Sequence, residues 1–195
     1  MSTAPQADEA ARERLRRASA SLDLAQITGS PYAMSQALAE VARCHRELRA
    51  DAIAEAHFET AARWARWVGS SDHLADILCE LADAAVRVAL AQDLQALQAE
   101  PAAASAPRSD AGAGLSGHAA RERARDHAFE ASRLVGQLSD SACEARLLLR
   151  VSAVLERCGD HADAQQMQQR AFNLMGGVTP RDAAVLSGFG RLADT

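Results

Sequence analysis

The sequence predicts an all-α protein, a single domain over its 195 residues, built from about eight helices paired as antiparallel hairpins. Three observations predict it. Period-two alternation of apolar and polar residues is missing, so no segment reads as a strand. Apolar residues recur at three- and four-residue spacings between turn signals that arrive every 15 to 25 residues. Hydrophobic content is 48% while the aromatic share is only 4%, so alanine and leucine dominate, a composition suited to close helix–helix packing.

The first helix is expected over about 8 to 28, with Leu15, Ala18, Leu22 and Ala25 along one stripe and Gly29 as its stop. Ser30 then supplies an N-cap, followed by Pro31 in the first helical position of a second helix, about 31 to 48. That helix is expected to bury Leu38, Val41, Ala42, His45 and Leu48. A third, about 51 to 68, uses Ile53, Ala54, Phe58, Ala61, Ala65 and Val68 and ends at Gly69. The fourth follows Ser70-Ser71 and runs toward about residue 98 with Leu74, Ile77, Leu78, Leu81, Ala85 and Val88 on its apolar face.

"PAAASAPRSDAGAGLSG", residues 101 to 117, offers almost nothing to bury and predicts a flexible, disordered insertion. A fifth helix is expected over about 118 to 138. "SACE" (Ser141 to Glu144) has the form of a capping box for a sixth, about 141 to 157. Gly159 and Asp160 then close one helix and open the next, about 161 to 175, glycine by its left-handed conformation and aspartate as a cap. "TPRD" (Thr179 to Asp182) opens a shorter eighth helix with Val185, Leu186, Phe189 and Leu192, weakened by Gly188 and Gly190.

Internal repetition carries the most information. "GSPYAMSQALAEVA" (29 to 42) aligns with "GSSDHLADILCELA" (69 to 82) at an offset of 40. A further shift of 70 brings Leu78, Leu81 and Ala82 onto Leu148, Val151 and Ser152, and Arg63, Trp64 and Ala65 onto Arg133, Leu134 and Val135. The extra 30 residues are assigned to the insertion and to lengthening of the fourth and fifth helices.

Two stretches, "LAEVARCHRELRADAIAEAHFETA" (38 to 61) and "LLRVSAVLERCGDHADAQQMQQRA" (148 to 171), resemble tetratricopeptide repeats. The matching positions are Leu38, Val41-Ala42 and His45 in one first helix, and Leu148, Val151-Ser152 and Leu155 in the other. Gly159-Asp160 fits the family's turn, whereas Arg49-Ala50 does not. Small, bulky, small follows in the second helices as Ala54, Phe58, Ala61 and, more weakly, Ala164, Gln168, Ala171. The 40-residue spacing departs from the family's roughly 34, and an unrelated up-and-down bundle stays open as the other architecture.

The resemblance implies a short right-handed solenoid whose first helices line a concave face. Residues opposite the packed stripes would enter it: Gln36, Arg43 and Arg46; Asp76, Asp83 and Arg87; Arg146 and Arg157. Such a groove suits an acidic peptide or a C-terminal carboxylate, held by bidentate hydrogen bonds. Trp67, in "RWARW", is a further candidate for partner binding, while Trp64 is expected to pack between hairpins.

Charge and motifs narrow the function classes. Net charge is −5, all 21 basic residues are arginine, and neither half has the basic excess expected of a nucleic-acid binder. "ARERLRRA" and "ARERARDHA" are interrupted by Glu13 and Glu122 and predict solvated helix faces. No apolar signal core and no stretch near 18 apolar residues is present, which predicts a soluble, cytoplasmic chain off the membrane. Cys44, Cys79, Cys143 and Cys158 form no C-x-x-C pair and predict reduced, mostly buried thiols.

Cys44 and His45 are adjacent on a helix, about 100° apart, and cannot easily share a metal. His127 with Glu130, and His57 between Glu55 and Glu59, lack a second partner motif for a di-metal site. Phosphate-loop, dinucleotide and nucleophile-elbow motifs are absent, and one tyrosine without any lysine gives acid–base or Schiff-base chemistry little to draw on. The expectation is a non-enzymatic protein–protein interaction module, an adaptor of chaperone-like or regulatory kind, without metal or cofactor. A self-associating helical protein, forming a homodimer, is the alternative, and a metal-dependent sensor or enzyme the third class.

Overall fold

A computed structural model describes residues 4–99 and 117–176. Seven α-helices and no strand occur among the described residues: α1 (Ala4–Thr28), α2 (Pro31–Glu47), α3 (Asp51–Val68), α4 (Ser71–Ala99), α5 (His118–Val135), α6 (Ser141–Cys158) and α7 (His161–Leu174). The predicted eighth helix and residues 101 to 116 of the predicted insertion lie outside the described residues. None of the described helices is long and apolar enough to cross a membrane.

Each helix packs on the one before and the one after it, and α4 also meets α6. Hairpins α2–α3, α4–α5 and α6–α7 therefore stack side by side, with α1 against α2. Side chains set this order. In α3 and α5 the fully buried residues are mostly alanine: Ala54, Ala61 and Ala65, then Ala124, Ala128 and Ala131. Small residues let neighbouring helices come close, and the larger Leu78, Leu81, Leu147, Leu148 and Leu155 of α4 and α6 fill the space between them. Among the described residues, Phe58 is the one aromatic side chain fully enclosed.

The repeat register survives in three dimensions. An offset of 70 carries the buried Ala54, Phe58, Ala61 and Ala65 of α3 onto the buried Ala124, Ala128, Ala131 and Val135 of α5. Offsets of 40 and 70 align the starts of α2, α4 and α6 at Pro31, Ser71 and Ser141. The extra length falls in α4, with 29 residues against 17 in α2, and not in α5, which has the 18 residues of α3.

Several local expectations need correction. Ile53 is 49% exposed rather than packed. Helix α6 is capped by Asp140, whose carboxylate accepts from Ala142 N–H at 3.0 Å, and Ser141 is already helical; Glu144 does not close a capping box but is buried against Arg170. Asp160 sits at the N-cap of α7 without capping it, because Arg125 Nε holds its carboxylate at 2.7 Å. Ser30 and Pro31 behave as predicted, Ser30 Oγ accepting from Ala33 N–H at 3.4 Å. Gly117, the last residue of the predicted insertion, touches α4: a Cβ there would lie 2.8 Å from the Ala89 carbonyl oxygen. Only glycine lets the chain enter α5 so close to its neighbour.

Three buried carboxylates tie helices together. Glu80 of α4 is held by Arg43 of α2, Glu55 of α3 by Arg123 of α5, and Glu144 of α6 by Arg170 of α7. The guanidinium of Arg43 reaches both oxygens of Glu80, at 3.0 and 3.1 Å, a geometry that its planar fork suits better than the point charge of an ammonium. The all-arginine basic complement suits this role.

Candidate functional site

Helix periodicity places four residues of each even-numbered helix on one stripe: Gln36, Glu40, Arg43 and Glu47 of α2; Asp76, Glu80, Asp83 and Arg87 of α4; Arg146, Arg150, Ala153 and Arg157 of α6. Because α2 and α6 flank α4, arginines approach its acidic stripe from both sides. Arg43 Nε and Nη2 donate to Glu80 at 2.8 to 3.1 Å. Arg150 and Arg157 of α6 pair with Asp76 and Asp83 of α4, and Arg146 lies 3.7 Å from Asp76. Seven of the residues singled out from sequence thus meet on one face.

They meet with unequal roles. Arg43 also pairs with Glu40, and Glu80 faces Arg46 at 3.5 Å as well. Burial works against the Arg43 charge, but its bonds to Glu80 outweigh that and raise its pKa above the ordinary value. Arg43 is a helix-to-helix tie with its donors already engaged. Asp83 is different, since three guanidiniums converge on it: Arg87 at 3.0 Å, Arg46 at 3.7 Å, and Arg157. Burial pushes the Asp83 carboxyl up, but Arg157 and Arg87 more than reverse it and hold the group below its usual 3.8.

Arg46 also reaches Glu80 at 3.5 Å and Arg157 Nε donates to the Ala153 carbonyl at 3.1 Å, yet these acceptors and Asp83 together do not use the five N–H donors of each of the three guanidiniums. The surplus lies around a cleft of about 640 Å³ between α2, α4 and α6. Its rim carries Arg46, Arg49, Arg87, Arg150 and Arg157 against Glu47 and Asp83, and Cys79, Ala153 and Val154 also line it. Glu47 is itself engaged by Arg14 at 2.8 Å. Cys79 is buried, which pushes its thiol up to about 12 and leaves it protonated and unreactive.

Two sequence candidates stand apart. Gln36 shares the α2 stripe but bonds Tyr32 Oη at 3.1 Å and lines a shallower recess against α1. Trp67, 81% exposed on α3, is not brought to the arginine-lined face, while Trp64 packs partly buried against the core. Cys44 and His45 diverge as predicted: Cys44 is buried with Ala18 and Val41, and His45 stacks on His57 with ring centroids 5.3 Å apart. No group of three His, Cys, Asp or Glu able to hold a metal occurs among the described residues.

One contact has the outline of a nucleophile and its base. Ser35 Oγ lies 2.9 Å from His73 Nε2, yet the fully buried hydroxyl donates its one proton to the Ala61 carbonyl at 3.0 Å. It accepts from the histidine and acts as a tie between α2, α3 and α4.

Glu80, Arg150 and Arg49 are not among the residues that the sequence singles out. The repeat register held the signal for the first two, since Glu40, Glu80 and Arg150 fall in line at offsets of 40 and 70. Arg49 was visible only as a departure from the Gly-Asp turn.

No family model matches this chain, and no curated protein matches it. Among solved structures, a chain described as "DHF58 filament" is 22% identical, over 88% of this chain and 82% of that one, with a TM-score of 0.40. BtubC (BKLC) from P. vanneervenii is 14% identical, over 92% and 95% of the two chains, with a TM-score of 0.26. Likenesses this low carry no argument about function.

Proposed function

We propose that the protein is a non-enzymatic interaction module, a cytoplasmic adaptor of tetratricopeptide-like design, that grips an acidic segment of a partner protein in the α2/α4/α6 cleft. The observation that supports this reading is the shared Asp83: five arginines and two acids line the cleft, and although Arg46 and Arg150 also reach Glu80 and Asp76, the lining keeps surplus positive charge inside a chain of net charge −5. A local basic site on an acidic protein favours a short acidic peptide over the long polyanion of a nucleic acid. The volume is that of a cleft for a few residues, not a whole domain.

Fluorescence anisotropy with a labelled peptide of alternating glutamate and leucine, and its glutamine counterpart, tests the reading. The glutamate peptide is expected to bind and to weaken with salt, and Arg150→Ala with Arg157→Ala to abolish binding. Equal binding of both peptides, or of neither, would sink it.

A second reading rests on α4. Leu90, Leu94 and Leu97 fall on one face of its distal part, 46%, 59% and 65% exposed. An apolar stripe of that kind suits a second copy of the chain. Light scattering decides: a dimer converted to monomer by Leu94→Glu supports self-association, and a monomer at all concentrations removes it.

A further inference from the structure

The chain turns from α2 into α3 and from α6 into α7 by the same hydrogen bonds. Ala50 N–H donates to the His45 carbonyl at 2.9 Å and Arg49 N–H to that of Arg46 at 3.1 Å. Asp160 N–H donates to Leu155 at 2.9 Å and Gly159 N–H to Glu156 at 3.1 Å. Both turns need one residue in the left-handed region, and Gly159 takes it at φ 90°. In the first turn that residue is Arg49, at φ 61°, the one non-glycine residue with positive φ among those described.

Arginine is a poor choice for this backbone. Asparagine and aspartate enter the left-handed region more readily, and glycine enters without strain. The side chain gives the choice a purpose. Arg49 is exposed on the rim of the arginine-lined cleft. Its four companions there each hold an acid: Arg46, Arg87 and Arg157 share Asp83, and Arg150 pairs with Asp76. Arg49 has no ion pair among the described residues. A strained backbone position occupied by a residue without a structural bond is the pattern of a site residue.

We propose that Arg49 is a ligand-binding residue of the cleft, the guanidinium left free to take a carboxylate of an incoming acidic peptide, and that glycine's place in the turn has been given to arginine for that purpose. The proposal rests on the peptide-binding reading above and adds the residue that reads the charge. Carboxylate would meet the Arg49 fork bidentately, while an aliphatic neighbour on the peptide would reach the Ala153 and Val154 lining.

The test compares Arg49→Gly, Arg49→Ala, Arg157→Ala and Arg63→Gln, using the same labelled glutamate–leucine peptide and thermal unfolding. Arg63 is exposed on α3 and bonds Thr60, so its loss removes one charge away from the cleft. Arg49→Gly is expected to raise Tm by about 2–4 °C and to weaken the peptide about tenfold, the loss of one charge-assisted bidentate contact. Arg49→Ala should weaken the peptide equally with no gain in Tm, because alanine keeps the backbone strain. Arg63→Gln should leave both unchanged. Wild-type affinity in Arg49→Gly, with affinity lost in Arg157→Ala, would overturn the role of Arg49 and leave the cleft standing. Equal weakening by Arg63→Gln would assign the effect to net charge and overturn it too. A wild-type protein that ignores the peptide would fail the peptide-binding reading itself.

Discussion

The α2–α3 and α6–α7 hairpins occupy one register 110 residues apart, yet they differ wherever charge enters. Arg49 stands where Gly159 does, Arg43 where Ala153 does, and His45 and His57 where Leu155 and Met167 do. The apolar positions, by contrast, correspond: Leu38 with Leu148, Val41 with Val151, Ala54 with Ala164 and Ala61 with Ala171 are buried in both. The fold is therefore written in the small and apolar positions, which tolerate little change in volume. The positions between them are free to diverge, and in the first hairpin they carry polar groups that the third lacks.

That divergence is sharpest at Arg43. Glu80 is 7% exposed and its charge is balanced chiefly by this guanidinium. Removing one partner of a buried pair leaves the other uncompensated, at a cost of about 3 kcal/mol. Arg43→Ala is expected to lose about that much in urea unfolding. Arg146→Ala, whose side chain is 60% exposed on the third hairpin, should change stability by less than about 0.5 kcal/mol. Equal effects would mean that the two hairpins are held alike, and that Arg43 is no more a structural tie than the exposed Arg146.

The sequence made the apolar frame legible because three- and four-residue spacing reports burial directly, and Leu78, Leu81, Leu148 and Val151 are all enclosed. Helix phase also brought Arg43, Asp76, Asp83 and Arg157 to one face. Phase says where a side chain points and not what it meets across the gap. So the sequence places Arg43 in the groove without showing that Glu80 engages it, and does not single out Glu80, which shares the α4 stripe with Asp76 and Asp83. Trp67 marks the same limit: it is exposed on α3, but which face of the stack α3 presents depends on packing between hairpins. Asp160 looked like a cap because aspartate favours that position, and Arg125, 35 residues earlier in sequence, competes for it in space.

The turns give the next comparison. If the hydrogen-bond pattern, and not the residue, specifies the turn, arginine at 159 should be tolerated at the cost of its left-handed backbone alone. Gly159→Arg has open space for a Cβ, so strain is the sole penalty expected, about 1–2 kcal/mol. Helical content by circular dichroism should stay at the wild-type value while the urea midpoint falls. Loss of helix would show that the third turn, unlike the first, needs glycine to form.

The smallest effect concerns pH and the stacked histidines. Burial lowers the pKa of His45 and His57 below the usual 6.5, and for His57 the neighbouring His45 charge adds to it. A histidine kept neutral by the fold contributes stability that is complete above pH 6.5 and is lost as pH falls through the lower folded value. The first hairpin should therefore loosen below pH 6.5, and the third, with Leu155 and Met167 at the matching positions, should not. His73 and His127 are shifted the same way by burial, so the wild-type protein will keep some acid sensitivity whatever the pair does. The informative variant replaces the pair by its counterparts, His45→Leu with His57→Met. Its Tm should fall less than that of wild type between pH 7 and pH 5, and amide exchange at pH 5 should slow in α2 and α3 while α6 and α7 stay unchanged. An undiminished fall would place the acid sensitivity in His73 and His127, on the α4 and α5 side of the stack, and remove the first hairpin's distinction.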